Sequence, residues 1–458
     1  MLEWSKSTKL HFIGIGGIGM SGIAEVLLDL GCSVSGSDLS SSAVTENLKK
    51  KGACVFQGHS AENVEGSTLV IYSSAIDKKN PEVARALELK IPMIRRAEML
   101  AELMRLKKGI AVAGSHGKTT TTSLIATIFH EAKLDATHII GGIVHNLGGN
   151  AKKGDGEFLI AEADESDGSF LQLSPVMAAV TNIDNDHLDH YGTEEKIVEA
   201  FVEFLNKLPF YGKAILNRDD KNSYQIKEKI KRPTLWFSKS VPKDEADFVA
   251  TDVKLSAAGA EFNLHCRGKL VQKFTTHMLG QHNISNALAA IATCFECGID
   301  WTTIQSGLLK FQGVGRRLER LYSKDNFVII DDYGHHPTEV RATISALKDV
   351  DKRPLCIVFE PHRYTRTQNF WEEFQTCFDG ADELFITPIY AASENPIPGI
   401  TTEKLIEEMK KKGKKVFLLQ NLDSMKELIN ERKNKEMIFL TLGAGAISKK
   451  AQQLVKDL

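Results

Sequence analysis

Between residues 110 and 131 the sequence runs from a short apolar segment, Ile110 to Ala113, through Gly114-Ser115-His116-Gly117-Lys118-Thr119-Thr120. It then enters a segment with Leu124, Ile125, Ile128 and Phe129 at helical spacing. Strand, glycine turn, Gly-Lys-Thr and helix is the context in which backbone N–H groups and a helix N-terminus hold phosphate oxygens. In that reading Lys118 reaches the β and γ phosphates of a nucleotide and the Thr119 hydroxyl binds Mg2+. The usual loop is G-x-x-x-x-G-K-[ST]. Here its first glycine would fall on Val112, and Gly114 stands only three residues before Gly117, so the loop is a shortened one. Two acidic clusters follow strand-like runs. Glu162-Ala163-Asp164-Glu165-Ser166-Asp167 comes after Phe158 to Ala161, and Thr181-Asn182-Ile183-Asp184-Asn185-Asp186-His187 comes after Val176 to Val180. Mg2+ takes oxygen ligands, so acids at two strand ends suit a nucleotide–metal site, with His187 at a second metal position. Solvated loops are the plainer alternative.

A second glycine turn, Gly14-Ile15-Gly16-Gly17-Ile18-Gly19, follows the strand Leu10 to Ile15, and Asp38 ends the next strand. Read alone it is the dinucleotide fingerprint and points to NAD or FAD. It establishes only that a diphosphate can sit there. A hydride-transfer enzyme would leave the phosphate loop without a task. A nucleoside diphosphate carried on the substrate accounts for both turns.

The elements that must position these turns alternate between short apolar runs and helical segments, which argues for α/β architecture with mostly parallel sheets. Three blocks are visible, at 1–107, 108–312 and 313–458. Further strand candidates are Cys32 to Ser37, Leu69 to Tyr72 and Ile91 to Ile94 in the first. In the third they are Phe327 to Asp331, Leu355 to Phe359, Glu383 to Thr387 and Met437 to Leu442. Lys plus Arg (57) nearly balances Asp plus Glu (59), which weakens any case for a nucleic-acid partner. Met1 to Leu10 has no apolar h-region, and no stretch reaches the ~18 apolar residues of a membrane span. Seven scattered cysteines fit reduced thiols. The expectation is a cytoplasmic enzyme without membrane insertion, monomeric or a weak homodimer. Cys294 and Cys297 have C-x-x-C spacing inside an apolar helical run, and read as packing thiols. The lysine-rich run Lys410 to Lys415 ends the helix Thr402 to Met409, where cations complement the dipole and Gly413 caps the C-terminus.

Taken together, these residues resemble the Mur ligases of peptidoglycan synthesis over essentially the whole chain. The matching segments are His11 to Ser21, Gly114 to Thr122, Glu162 to Phe170, Asn182 to Asp189, Gln281-His282-Asn283 with Asn286, and Gly315-Arg316-Arg317. Asp331 to Pro337 and Pro361 to Thr367 complete the set. The resemblance implies three domains: a Rossmann-like UDP-binding domain, a central P-loop ATPase domain with a mostly parallel sheet, and a C-terminal Rossmann-like α/β domain that closes over the site. The member it is most similar to adds L-alanine to the lactyl carboxylate of UDP-N-acetylmuramate through an acyl phosphate, at the expense of ATP. The alternative is the recycling ligase that attaches a murein tripeptide. That paralogue usually carries Tyr after Glu-Ala-Asp-Glu, where this chain has Ser166-Asp167-Gly168-Ser169.

Residue roles follow from the same resemblance. Gly14, Gly16, Gly17 and Gly19 would cradle the substrate diphosphate, with Asp38, Ser73, Ser74 and Arg96 holding uridine and phosphates. Gly114, Ser115, His116, Gly117, Lys118, Thr119 and Thr120 would bind ATP phosphates, and His282 and Asn286, on one helix face, would contact adenine. Thr119, Glu162 and His187 would hold Mg2+. Asp332 and Tyr333 would face the nucleotide, and Arg317 would approach the γ-phosphate. His335, Arg363 and Arg366 would form the amino-acid pocket, with His335 or a metal-held water taking the ammonium proton. One departure is Glu360, where the family pattern has Gln; a carboxylate there is expected to pair with Arg363.

Overall fold

The computed structural model describes residues 5–458 apart from 74, 75, 78 and the side chain of Asp189. Ser74, expected at the UDP site, therefore lies outside the described residues. The chain forms two compact units. One comprises Met1–Thr251, Asn263–Phe274 and Ser285–Gln312; the other comprises Asp252–Phe262, Thr275–Ile284 and Gly313–Leu458.

The first unit begins with strands β1 (Lys9–Ile13), β2 (Ser33–Asp38), β3 (Cys54–Gln57), β4 (Leu69–Tyr72) and β5 (Met93–Arg95). They pair in parallel in the order β3-β2-β1-β4-β5. The order reverses at β1, and ligands of such sheets bind beyond the strand C-termini at that switch. The Gly14 turn sits there. β3 escapes a sequence reading because its residues are mostly exposed, so no apolar run marks it.

Ten further strands form one sheet: β6 (Lys108–Ala113), β7 (Thr137–Val144), β8 (Gly149–Lys152), β9 (Phe158–Glu162), β10 (Met177–Val180), β11 (Lys213–Asn217), β12 (Thr234–Ser238), β13 (Phe248–Ser256), β14 (Gly259–Cys266) and β15 (Lys269–Thr276). Their order is β15-β14-β13-β12-β11-β10-β6-β9-β7-β8. β6 pairs in parallel with β10 on one side and β9 on the other. The phosphate loop therefore leaves the sheet between the two acidic strand ends.

Helix Lys118–Glu131 follows that loop. Leu124, Ile125, Ile128 and Phe129 are buried as their spacing predicts, but Thr121, Thr122, Ser123 and Thr127 are buried as well. The helix is packed on nearly all sides, so its polar residues mark no solvent face. Of these hydroxyls, that of Thr122 bonds back along the helix to the Lys118 carbonyl at 2.8 Å and that of Ser123 to the Thr119 carbonyl at 2.6 Å. Helix Ile18–Asp29, which opens on the first glycine turn, lies against the edge of the ten-stranded sheet. Asn150 of β8 donates to the Ile18 carbonyl at 2.8 Å, and a Cβ on Gly22 would come within 3.2 Å of Ala151. The two glycine turns thus belong to one packed body.

The second unit carries β16 (Glu319–Lys324), β17 (Phe327–Asp332), β18 (Leu355–Phe359), β19 (Glu383–Ile386), β20 (Val416–Leu418) and β21 (Met437–Leu442). Their order is β16-β17-β21-β18-β19-β20, parallel except for the β16–β17 pair. Residues 331–336 and 360–366 leave β17 and β18, which flank β21. Cys294 is buried in helix Gln281–Glu296 as a packing thiol, and Gly413 follows helix Thr402–Lys411 in the left-handed region. Among the described residues no helix is long and apolar enough to cross a membrane.

Gly36 shows how tightly the first turn is seated. A Cβ there would lie 2.7 Å from the Phe12 carbonyl oxygen and 2.7 Å from Ile15 Cδ1. Since backbone cannot yield as a side chain does, Gly36→Ala should destabilise the protein by about 1–3 kcal/mol. An unchanged urea midpoint would count against this packing.

Candidate active site

The phosphate loop is held open by contacts that exclude side chains. Gly114 has φ +126°, and a Cβ there would lie 2.2 Å from Thr181 Oγ1; Gly117 has φ +83°, and its Cβ would lie 2.3 Å from Asn286 Oδ1. Asn286 is therefore pressed against the loop from helix Gln281–Glu296. His282 lies one turn earlier on that helix, in the segment belonging to the second unit. The loop is braced from β10. His116 N–H donates to Asn182 Oδ1 at 2.9 Å, His116 Nε2 lies 2.9 Å from Asp184 Oδ2, and Asp184 N–H donates to Ser115 Oγ at 2.9 Å. In this structure the Thr181 to Asp184 segment shapes the loop.

The acidic run after β9 divides its carboxylates among three elements. Glu162 Oε2 accepts the Thr119 hydroxyl at 3.2 Å, and its Oε1 accepts Gly141 N–H at 2.6 Å. Asp164 Oδ2 accepts Arg96 Nη2 at 3.0 Å. Glu165, buried, accepts Lys118 Nζ at 2.8 Å, and Lys118 also donates to the Gly114 carbonyl at 2.7 Å. His187 has φ +61°, and its Nε2 lies 3.6 Å from both Glu165 Oε1 and Asp186 Oδ2. Burial alone would favour a neutral lysine and a neutral imidazole. Glu165 and its neighbours outweigh it, so the Lys118 ammonium and the His187 imidazolium are both held above their ordinary pKa range. Burial would likewise raise Asp164, but Arg96 and then Lys118 keep it ionised below the usual range.

The first turn is pinned from β2. The N–H groups of Gly14 and Ile15 both donate to the Ser37 carbonyl, at 2.9 and 3.0 Å, and Gly16 N–H donates to Asp38 Oδ2 at 3.0 Å. Ser73 lies beside Gly14, whose Cβ would be 3.9 Å from it. Gly17 caps helix Ile18–Asp29. Arg96 lies over Gly19, where a Cβ would meet its Nη1 at 3.0 Å. One arginine thus touches the first turn and, through Asp164, the acidic run that serves the second.

In the second unit, buried Asp332 accepts Leu318 N–H and Gly334 N–H, each at 2.8 Å, and the Thr343 hydroxyl at 3.1 Å. Burial raises its pKa despite Arg317. Arg316 and Arg317 lie over the Tyr333 ring, at 4.7 and 5.1 Å, and Arg317 Nη1 is 3.6 Å from Glu339. His335 Nδ1 is 3.1 Å from the Tyr333 carbonyl and 3.3 Å from Glu339 Oε2. Arg366 Nη1 lies 3.4 Å from His362 Nδ1.

Models of three Mur ligase domains match this chain in order: the Mur ligase family catalytic domain at 9–108, the Mur ligase middle domain at 112–294, and the Mur ligase glutamate ligase domain at 316–445. The UDP-N-acetylmuramate–L-alanine ligase of Trichlorobacter lovleyi is 48% identical over 98% of this chain and 99% of its own. The ligase of the same name from Geobacter sulfurreducens is 46% identical over 99% and 98%. The chain belongs to the Mur ligase family. The crystal structure of UDP-N-acetylmuramate-alanine ligase from Thermotoga maritima superposes with a TM-score of 0.84 at 29% identity, covering 98% of both chains. A murein peptide ligase from Psychrobacter arcticus shares the fold, with a TM-score of 0.74 at 22% identity.

Within this Mur ligase one expectation fails. Glu360 does not pair with Arg363. Its Oε2 accepts Ile447 N–H at 2.9 Å, at the start of helix Ile447–Val455, where an acid meets the positive end of the helix dipole. Burial raises its pKa, and the arginine that opposes this is Arg316. Arg363 Nε donates instead to Glu394 Oε1 at 2.5 Å. A loop residue 31 positions away leaves no periodic signal, so Glu394 escapes a sequence reading.

A second unforeseen group lies beneath the first turn. Glu82 is fully buried, with Ser37 Oγ donating to its Oε2 at 2.6 Å and Asn63 Nδ2 to its Oε1 at 2.7 Å. His59 Nδ1 lies 3.0 Å away and His11 Nε2 3.6 Å away. Glu82 stands in the first turn of helix Pro81–Glu88, which Asn80 caps, and its inward direction is set by tertiary packing. Burial opposes ionisation of Glu82, yet His11, Ser37 and Asn63 together hold its pKa down at about 2. A carboxyl depressed on folding stabilises the protein above its unfolded pKa of 4.5, and that stabilisation is lost as pH falls through the folded value. Glu82→Gln should therefore cost on the order of 3 kcal/mol near neutral pH. Its melting curve should converge on that of the unmodified protein as pH drops from 4.5 toward about 2. A deficit that ignores pH across this window would contradict the assignment.

Proposed function

We propose that this chain joins L-alanine to the lactyl carboxylate of UDP-N-acetylmuramate, with ATP giving ADP and phosphate, in cytoplasmic peptidoglycan precursor synthesis. The observation that carries the reading is the Arg96–Asp164 pair, 3.0 Å, which links the first glycine turn to the acidic run of the phosphate loop inside one packed unit. That arrangement suits a reaction in which a nucleotide-carried carboxylate meets the γ-phosphate of a second nucleotide. Residues 1–107 would bind the UDP-sugar, 108–312 ATP, and 313–458 the amino acid.

The Gly14 to Gly19 turn, with Asp38, Ser73 and Arg96, orients the UDP-sugar. The Gly114 to Thr120 loop holds the ATP phosphates by backbone N–H groups, and the Lys118 ammonium offsets charge that gathers on the γ-phosphoryl oxygens. Asn286, against Gly117, is the residue we assign to the base. Thr119 and Glu162 offer hard oxygen donors 3.2 Å apart that fit Mg2+, and His187 would hold a second ion on giving up its ring proton; bound there, the metal would supply further charge neutralisation. The lactyl carboxylate oxygen bonds to the γ-phosphorus as the bond to ADP breaks. The amine of alanine then attacks the acyl carbon and phosphate leaves. Arg363 and Arg366 bind the alanine carboxylate. His335, whose Nδ1 lies beside the Tyr333 carbonyl and Glu339, is the residue we assign to take the ammonium proton.

The full-length relatives named for alanine favour this substrate over the murein tripeptide of the recycling ligase. The direct test is phosphate release by the purified protein with ATP, Mg2+ and UDP-N-acetylmuramate, one amino acid at a time. Release should be strongest with L-alanine, with a product heavier by one alanyl residue. Release with the tripeptide alone would move the protein to the recycling reaction. Lys118→Ala should abolish turnover while UDP-N-acetylmuramate still binds, as read by calorimetry; equal loss of both would contradict separate sites.

A further inference from the structure

We infer that Glu394 is a positioning residue of the amino-acid pocket, whose carboxylate fixes the plane in which Arg363 offers its guanidinium to the carboxylate of alanine. This rests on the reading of Arg363 given above. An arginine side chain has about 2 kcal/mol of rotamer entropy to lose, and its fork recognises a carboxylate only when the plane is set.

Glu394 sets it with both oxygens. Oε1 accepts Arg363 Nε at 2.5 Å and the Thr365 hydroxyl at 2.6 Å, and Oε2 accepts Thr365 N–H at 3.0 Å. Thr365 holds the carboxylate in place, so the arginine cannot swing without giving up its bond to an acceptor that does not follow it. The side chain is 15% exposed, which shields the pair from much of the screening that weakens surface ion pairs. Burial disfavours its charge, but the Thr365 hydrogen bonds and Arg363 keep its pKa below the ordinary range.

The backbone on both sides is held in costly conformations to make this contact. Arg363 has φ +71°, and Ala392 and Ser393, immediately before Glu394, have φ +47° and +70°. Non-glycine residues rarely adopt such angles, and they persist where surrounding structure imposes them. That structure is visible. Arg363 N–H donates to the Tyr390 carbonyl and Tyr390 N–H to the Pro361 carbonyl, each at 2.8 Å. The His362 and Tyr390 rings stack at 5.5 Å with 12° between planes. The loop is thus fastened to the arginine segment by its main chain, and the carboxylate adds direction to a contact already made.

Steady-state kinetics separates orientation from simple stapling. Glu394→Gln keeps the shape and loses the charge, and should raise the KM for L-alanine roughly 10- to 100-fold. The KM values for ATP and UDP-N-acetylmuramate should change less than about twofold. Arg363→Ala should raise the alanine KM similarly, and the double variant should be no worse than Arg363→Ala alone, because one interaction is removed once. A raised alanine KM in Arg363→Ala with none in Glu394→Gln would overturn the inference and leave the pocket standing. An unchanged alanine KM in Arg363→Ala would remove the reading of the pocket itself. Should Glu394→Gln melt below the assay temperature, Thr365→Val carries the test. It frees one anchor of the carboxylate and should raise the alanine KM alone; equal change in all three KM values would mark the contact as structural.

Discussion

Crowding of negative charge in residues 162–167 is the constraint on which the rest of the structure depends. Like charges so close disfavour their own ionised forms unless each finds a separate partner. The fold provides them from different directions: the Thr119 hydroxyl for Glu162, the Arg96 guanidinium for Asp164 and the Lys118 ammonium for Glu165. Parallel pairing of β6 between β9 and β10 places Lys118 and Thr119 within reach. Packing of helix Ile18–Asp29 against β8 carries the first sheet, and with it Arg96, to the same place. The sheet order and the contact between the first two blocks are thus both required by one stretch of six residues. Phosphates and hard cations are the ligands such a balanced cluster of opposite charges is suited to exchange for.

Charge is also placed away from this run, in buried or part-buried positions where desolvation opposes it. Glu82 accepts the hydroxyl of Ser37, whose carbonyl anchors the first turn, and Glu394 accepts Arg363 Nε. Each could be replaced by an apolar residue in a protein selected for stability alone. Each instead fixes the position of a group assigned to substrate, which is a reason to retain a costly carboxylate. Glu360 is different: its carboxylate caps a helix, and its burial raises its pKa.

Local sequence was enough for what local physics decides. The glycine turns, the strands that feed them and the acids at strand ends were legible, because turn chemistry and apolar runs are properties of neighbouring residues. Leu69 to Tyr72, Leu355 to Phe359 and Met437 to Leu442 lie where their apolar character puts them. Partners were not legible. Asp184 belongs to a cluster read only as suiting a nucleotide–metal site, and its 2.9 Å contact with His116 of the loop has no mark in the spacing. Glu360 was expected on Arg363, three residues away, whereas the acid found there comes from position 394. Helix Lys118–Glu131 was read from the spacing of its apolar residues, which does not show that Thr122 and Ser123 are buried too and bond to its own backbone. Each of these depends on what the fold brings alongside, which spacing along the chain does not encode.

The central claim is that a carboxylate carried on the first nucleotide attacks the γ-phosphorus of the second. Isotope transfer tests it most directly. UDP-N-acetylmuramate labelled with oxygen-18 in the lactyl carboxylate would be turned over with ATP and L-alanine, and the released phosphate analysed by mass spectrometry. The account predicts label in the inorganic phosphate, because the oxygen that bonds to phosphorus leaves with it when the amide forms. Phosphate free of label, with full conversion to the alanyl product, would contradict it.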